Sequence, residues 1–299
     1  MKLGIHAYEW CSEWSNDTLD IIDKVKECGF DFIEIPLMRL DLFDPKAVRE
    51  RLDGFEVTTS NVLLADDVDV TSFDPDVRKN GVRYLKDCVK ASAEAGAKMF
   101  SGVIYSQYLK DAKKMPTEEE WQFSADSMRE LARYAADFGM SIAFEPVTRY
   151  ESYLLNTAEE AVRLVNMIGE PNVFIHLDSY HMNVEEKDFH DAVVTAGSKL
   201  SNFHMCENDR GIPGTGHVDW DGIFRAFKEI GFDGYLGFEG FSDCTDNMST
   251  WVWRKLAPDG DTFVRESIAF ARRMMQKYGV YKALPASEKY CNRPRRIVR

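Results

Sequence analysis

Along the chain, amphipathic stretches that end in glycine alternate with short apolar runs. Gly29 precedes the run from Phe30 to Ile35, Gly54 precedes Phe55 to Thr59, Gly96 precedes Lys98 to Phe100, and Gly139 leads to Ser141 to Glu145. Gly169 leads into Val173 to Asp178, Gly197 into Leu200 to His204, and Gly231 into Tyr235 to Glu239. A helix commonly ends on a residue in the left-handed conformation, which glycine adopts without steric cost, so each of these glycines predicts a helix end ahead of a strand. Adding the N-terminal run Leu3 to Tyr8 gives eight predicted strands. The stretches between them carry helical period: from Asp76 to Ala95, Val77, Tyr84, Leu85, Cys88, Val89, Ser92 and Ala93 fall on one face. Thr157-Ala158-Glu159-Glu160 reads as a capping box at a helix start, and a last helix from about Thr262 to Tyr278 closes at Gly279.

Alternating strand and helix implies a parallel sheet, closed or open. Eight units in one barrel-sized length favour an α/β architecture of the (β/α)8 TIM-barrel type. An open doubly wound sheet is the alternative, but no Gly-x-Gly-x-x-Gly follows the first strand. The expected organisation is one catalytic barrel over residues 1–286 and a basic tail over residues 287–299.

Charge changes this picture only by exclusion. The 299 residues carry 37 Lys plus Arg against 50 Asp plus Glu, a formal charge of −13, whereas a nucleic-acid partner calls for a basic face. An anionic membrane surface is disfavoured for the same reason, and no window has the apolar length of a membrane span. The tail runs against the trend, with Lys289, Arg293, Arg295, Arg296 and Arg299 against Glu288. The six cysteines are scattered without a Cys-x-x-Cys pair, which suits reduced thiols, and the N-terminus reads as a strand rather than a signal peptide; together they predict a cytoplasmic protein.

The chemistry lies at four strand ends. Strands five to eight close on Glu145, Asp178, His204 and Glu239, and in a parallel barrel the carboxyl ends of strands converge on one pocket. Any one of these residues could cap a helix or pair with a lysine. Four in succession would crowd charge that only a cation relieves. Three carboxylates and one imidazole form a hard, oxygen-rich set suited to Mn²⁺, Co²⁺ or Mg²⁺ rather than a structural zinc. Glu151, His181 and Arg210 follow close behind these ends, although His181 could be a helix cap and Arg210 a surface partner of Asp209. The glycine-rich loop from Gly211 to Gly216 is a weak phosphate-cradle signal, and His176 reads as packing.

A metal that chelates two adjacent oxygens of a hydroxy-ketone acidifies the carbon-bound proton between them by stabilising an enediolate. Two carboxylates on opposite faces, Glu145 and Glu239, could then remove the proton from one face and return it to the other. That reaches an epimerase or isomerase of a polyhydroxy carbonyl compound, without choosing inversion at C3 over transfer between C1 and C2.

The motifs around these residues resemble a known family. Glu145-Pro146 with Arg149-Tyr150-Glu151, Leu177-Asp178 with His181 and Asn183, Glu207-Asn208-Asp209-Arg210-Gly211, and Phe238-Glu239-Gly240-Phe241 followed by Val252-Trp253-Arg254 are similar to the ketose 3-epimerases. These form the D-tagatose/D-psicose 3-epimerase group of the xylose-isomerase-like sugar isomerase/epimerase barrels. The resemblance implies that Glu145, Asp178, His204 and Glu239 bind Mn²⁺ or Co²⁺ and that Glu145 and Glu239 are the acid/base pair. It implies that Glu151, His181 and Arg210 hold the C1–C3 end of a free ketose, and that Trp14, Tyr108 and Phe241 shape the pocket. His6, Tyr108 and the Leu63-Leu64-Ala65 loop depart from the family pattern. A homodimer or homotetramer is implied, and an aldose–ketose isomerase of the same barrel class is the runner-up activity.

Overall fold

The computed structural model describes residues 1–242 and 252–280. Eight parallel strands close into a barrel in chain order, and the last pairs with the first. They are β1 (Lys2–His6), β2 (Phe32–Pro36), β3 (Glu56–Leu63), β4 (Met99–Gln107), β5 (Ser141–Phe144), β6 (Val173–Asp178), β7 (Leu200–Met205) and β8 (Tyr235–Phe238). Seven follow the predicted glycine-ended helices and β1 is the predicted N-terminal run, although β4 continues to Gln107, past the expected Lys98 to Phe100. The basic tail, Cys244 and Cys291 lie outside the described residues.

The outer ring comprises α1 (Asp20–Glu27), α2 (Pro45–Leu52), α3 (Pro75–Ala95), α4 (Glu118–Asp137), α5 (Ala158–Ile168), α6 (Ser179–Glu185), α7 (Phe189–Ala196), α8 (Trp220–Ile230) and α9 (Gly260–Tyr278). The expected capping box is present at α5: the Thr157 side chain accepts from the Glu160 amide, and the Glu160 carboxylate accepts from the Thr157 amide. The helix α3 stops at Gly96, whose φ of 100° lets its amide reach back to the carbonyls of Ser92 and Ala93. One helix was not foreseen. The short α6 follows β6 directly, with Asp178 as its N-cap accepting from the Tyr180 amide.

Apolar faces of the helices seal against the outside of the barrel. The Phe203 ring on β7 meets Phe227 of α8 edge-on, with centroids 5.0 Å apart and both residues fully buried. Truncating such a ring costs about 3–5 kcal/mol. Register decides which residues share a level inside. Asp178 pairs with His204 and His204 with Gly237, while across the barrel His6 pairs with Glu34 and Glu34 with Thr58. Among the described residues no helix is long and apolar enough to cross a membrane.

Candidate active site

At the carboxyl end of the barrel lies a cavity of about 110 Å³, lined among others by Glu145, Glu151, His181, His204, Arg210 and Glu239. Glu145 and Glu239 stand one residue beyond β5 and β8, Asp178 is the last residue of β6, and His204 is the penultimate residue of β7. Each offers a ligand atom within 4.8 Å of the others. His204 Nδ1 faces the three carboxylates, at 3.6 Å from Glu239, 3.8 Å from Asp178 and 4.0 Å from Glu145. That nitrogen is buried and has no hydrogen-bond partner. A buried polar atom left unsatisfied costs about 1–3 kcal/mol, so a ring held this way suits a cation in front of it. The set fits a divalent metal, with the four strand-end side chains as its holders.

Electrostatics shows the same crowding. Burial, then the Glu239 carboxylate, push the Glu145 carboxyl well above its usual range. Burial also opposes ionisation of Glu239, but Arg210 and His204 outweigh it and hold Glu239 well below the usual carboxylate range.

Arg210 is buried, not a surface partner of Asp209. Its Nη1 lies 2.5 Å from both Asp178 Oδ2 and Glu239 Oε2. Its backbone is left-handed at φ 69°, uncommon for a residue with a side chain, and the loop around it is tied down by Glu207. The buried Glu207 carboxylate accepts from the amides of Gly214 and Val218 and from Trp220 Nε1, at 2.7, 2.8 and 3.0 Å. The glycine-rich loop is therefore wrapped around an internal carboxylate, with the Gly214 amide committed to that carboxylate rather than to a phosphate.

The remaining predicted residues divide. Burial, then Arg210, hold the His181 ring down to about 3, so it is neutral. The Thr148 amide donates to its Nδ1 at 3.1 Å, and Arg210 Nη2, which can only donate, lies 2.9 Å from its Nε2, so both ring nitrogens face donors. Glu151 accepts from the Tyr108 hydroxyl at 2.8 Å and from Thr148 Oγ1 at 3.2 Å, and burial raises its carboxyl. His6, Tyr108 and Phe241 line the cavity, but Trp14 is packed into the hydrophobic core and is not among the lining residues. His176 packs edge-on against His204 with centroids 4.0 Å apart, as a packing residue does. It also comes within ligand distance of Glu145 and His204, yet does not line the cavity.

One site residue was missed. Glu34, in the middle of β2, lines the cavity and accepts from His204 Nε2 at 3.2 Å. Burial opposes its ionisation, but His204 beside it holds the carboxyl down to about 2. The available signal was its place between Ile33 and Ile35: in a strand walled by helices outside, such a carboxylate has only the barrel interior to face.

Comparison with known proteins agrees with this geometry. The sequence model of the xylose isomerase-like TIM barrel family matches residues 22–274. The chain is 36% identical over 278 residues to a ketose 3-epimerase of Arthrobacter globiformis, covering 91% of this chain and 96% of that protein. It is 32% identical to a D-psicose 3-epimerase of Ruminiclostridium cellulolyticum, over 93% of this chain and 97% of the relative. The crystal structure of a D-allulose 3-epimerase from Methylomonas sp. in complex with D-allulose superposes with a TM-score of 0.86 at 33% identity, covering 92% of this chain and 97% of that one. With its fold, strand-end ligand set and relatives in agreement, the chain belongs to the ketose 3-epimerases, carbohydrate epimerases of the xylose isomerase-like TIM-barrel family.

Proposed function

We propose that this protein inverts the configuration of a free ketose at C3, with Glu145, Asp178, His204 and Glu239 holding a divalent cation. The observation that carries the proposal is the unpartnered His204 Nδ1 facing three carboxylates at the mouth of the barrel. Mn²⁺ is the ion proposed, with Co²⁺ as its nearest substitute, because oxygen-rich donor sets with one imidazole suit these ions. When bound, the cation would withdraw charge from neighbouring sugar oxygens and acidify the carbon-bound proton between them.

The protein's own groups supply the rest. Glu145 and Glu239 reach the cavity from β5 and β8, with β6 and β7 between them, so they approach a bound sugar from different sides. One carboxylate takes the C3 proton and the other carboxylic acid delivers a proton to the opposite face. Arg210 donates to sugar oxygens with His181 beside it, and Glu151, held by Tyr108 and Thr148, accepts from a sugar hydroxyl. His6, Tyr108 and Phe241 border the rest of the sugar. A homodimer or homotetramer in the cytoplasm completes the reading.

The test is incubation of the protein and Mn²⁺ with D-fructose, D-tagatose and L-ribulose, followed by chromatography of the sugars. The expected product is the C3 epimer of at least one ketose. Aldose products alone would replace the epimerase reading by an aldose–ketose isomerase.

A further inference from the structure

The His204 ring has two faces to satisfy, and the strand-end ligands account for only one of its nitrogens. Its Nε2 points away from the carboxylates of β5, β6 and β8 and across the barrel to β2, where Glu34 Oε2 accepts at 3.2 Å. Glu34 is almost fully buried and held in turn by its neighbours in register. Thr58 Oγ1 donates to the same oxygen at 3.3 Å, and His6 Nε2 lies 3.9 Å from Oε1. The route between the two residues is open because the strand between β7 and β1 carries no side chain at that level. A Cβ on Gly237 would stand 3.1 Å from His204 Cδ2 and 3.4 Å from Nε2.

From this arrangement we infer that Glu34 is a positioning residue for the metal: its carboxylate fixes the His204 ring with the proton on Nε2 and the lone pair of Nδ1 toward the ligand set. An imidazole that binds a metal keeps only one ring proton, and a buried carboxylate at one nitrogen decides which one is kept. His204 is thereby presented to a cation in the binding tautomer, and its basicity is raised by the charge behind it. This inference rests on the proposed metal site and adds to it a residue on the opposite wall of the barrel.

Two measurements test it. Metal-free protein is titrated with Mn²⁺ by calorimetry, wild type against Glu34→Gln. The expected result is a Kd about 10–100-fold weaker in the variant. The second measurement needs no substitution. In wild-type protein with isotopically labelled histidine and NMR-active cadmium in place of manganese, the metal coupling of His204 should fall on Nδ1 and the retained proton on Nε2. Coupling on Nε2, or an unchanged Mn²⁺ affinity in folded Glu34→Gln, would overturn the inference while leaving the metal site standing. Wild-type protein that takes up neither ion would overturn the metal site and this inference together.

Discussion

Two buried clusters of carboxylates and cations sit near the same end of the barrel and are built on opposite plans. In the first, Asp69 Oδ1 accepts from the Thr71 amide, Thr71 Oγ1 and the Gln107 amide, and Oδ2 accepts from Lys110 at 2.7 Å. Glu120 beside it accepts from the Thr117 amide and hydroxyl and from Tyr153, with Lys110 and Lys114 within 3.8 Å. Two carboxylates meet two lysines, and these oxygens are engaged at short range. In the second, Glu145, Asp178 and Glu239 meet the single guanidinium of Arg210, and His204 turns an unpartnered nitrogen toward them. The first cluster stabilises the loops it joins. The second is left short of positive charge, and that shortage is the sign of a site that takes a cation.

Substitutions should separate the clusters, most sharply where the chemistry is. Glu239→Gln is expected to lower turnover by about 10²–10⁴-fold, the range for losing a general acid or base. The melting temperature of the metal-free protein should fall as well, because the substitution leaves the buried Arg210 guanidinium without one of its two carboxylate partners. Steady-state kinetics and calorimetry on one preparation check both halves.

The Asp69 cluster should respond in stability alone. Asp69→Asn leaves Lys110 without its closest partner and is expected to cost about 3 kcal/mol in denaturant unfolding, the low end for breaking a buried pair. Turnover of the folded fraction should survive. Burial opposes ionisation of Asp69, but hydrogen bonds from Lys110 and Thr71 prevail and lower its pKa. A carboxyl lowered in the folded state contributes stability above its unfolded pKa, near 3.8–3.9, and loses it as pH falls through the folded value. Asp69→Asn should therefore flatten the acid limb of the stability profile below about pH 4.

Smaller effects follow for the cation itself. Adding Mn²⁺ at a hundred times its Kd should stabilise the protein by about 2.7 kcal/mol over the chelated form, a rise of about 5 °C in scanning calorimetry. Asp69→Asn should keep that rise, and Glu239→Gln should reduce it. Gly237→Ala should have the least effect, a few-fold loss of Mn²⁺ affinity, as its Cβ presses His204 away from Glu34 by tenths of an ångström.

The fold was legible because each unit repeats one physical device, a glycine-stopped helix ahead of an apolar run. The ligand set was legible because Glu145, Asp178, His204 and Glu239 each close such a run, where barrel geometry brings them together. Glu34 was not, because a carboxylate inside a run reads as a solvent-facing position until closure of the sheet turns that face inward. Arg210 showed a charge but not its left-handed backbone or the Glu207 anchor beneath it, both of which depend on the loop's path. Trp14 shows the same limit: proximity of the first loop to the cavity was readable, but which of its aromatics turns into the core was not.

The most direct measurement is NMR of a ketose incubated in D₂O with the Mn²⁺-loaded protein, read at each carbon of the substrate and product. Proton exchange between two glutamates across the sugar predicts deuterium at C3 of the epimer and none at C1. Deuterium at C1 or C2 with an aldose product, or inversion without any incorporation at C3 over repeated turnovers, would contradict it.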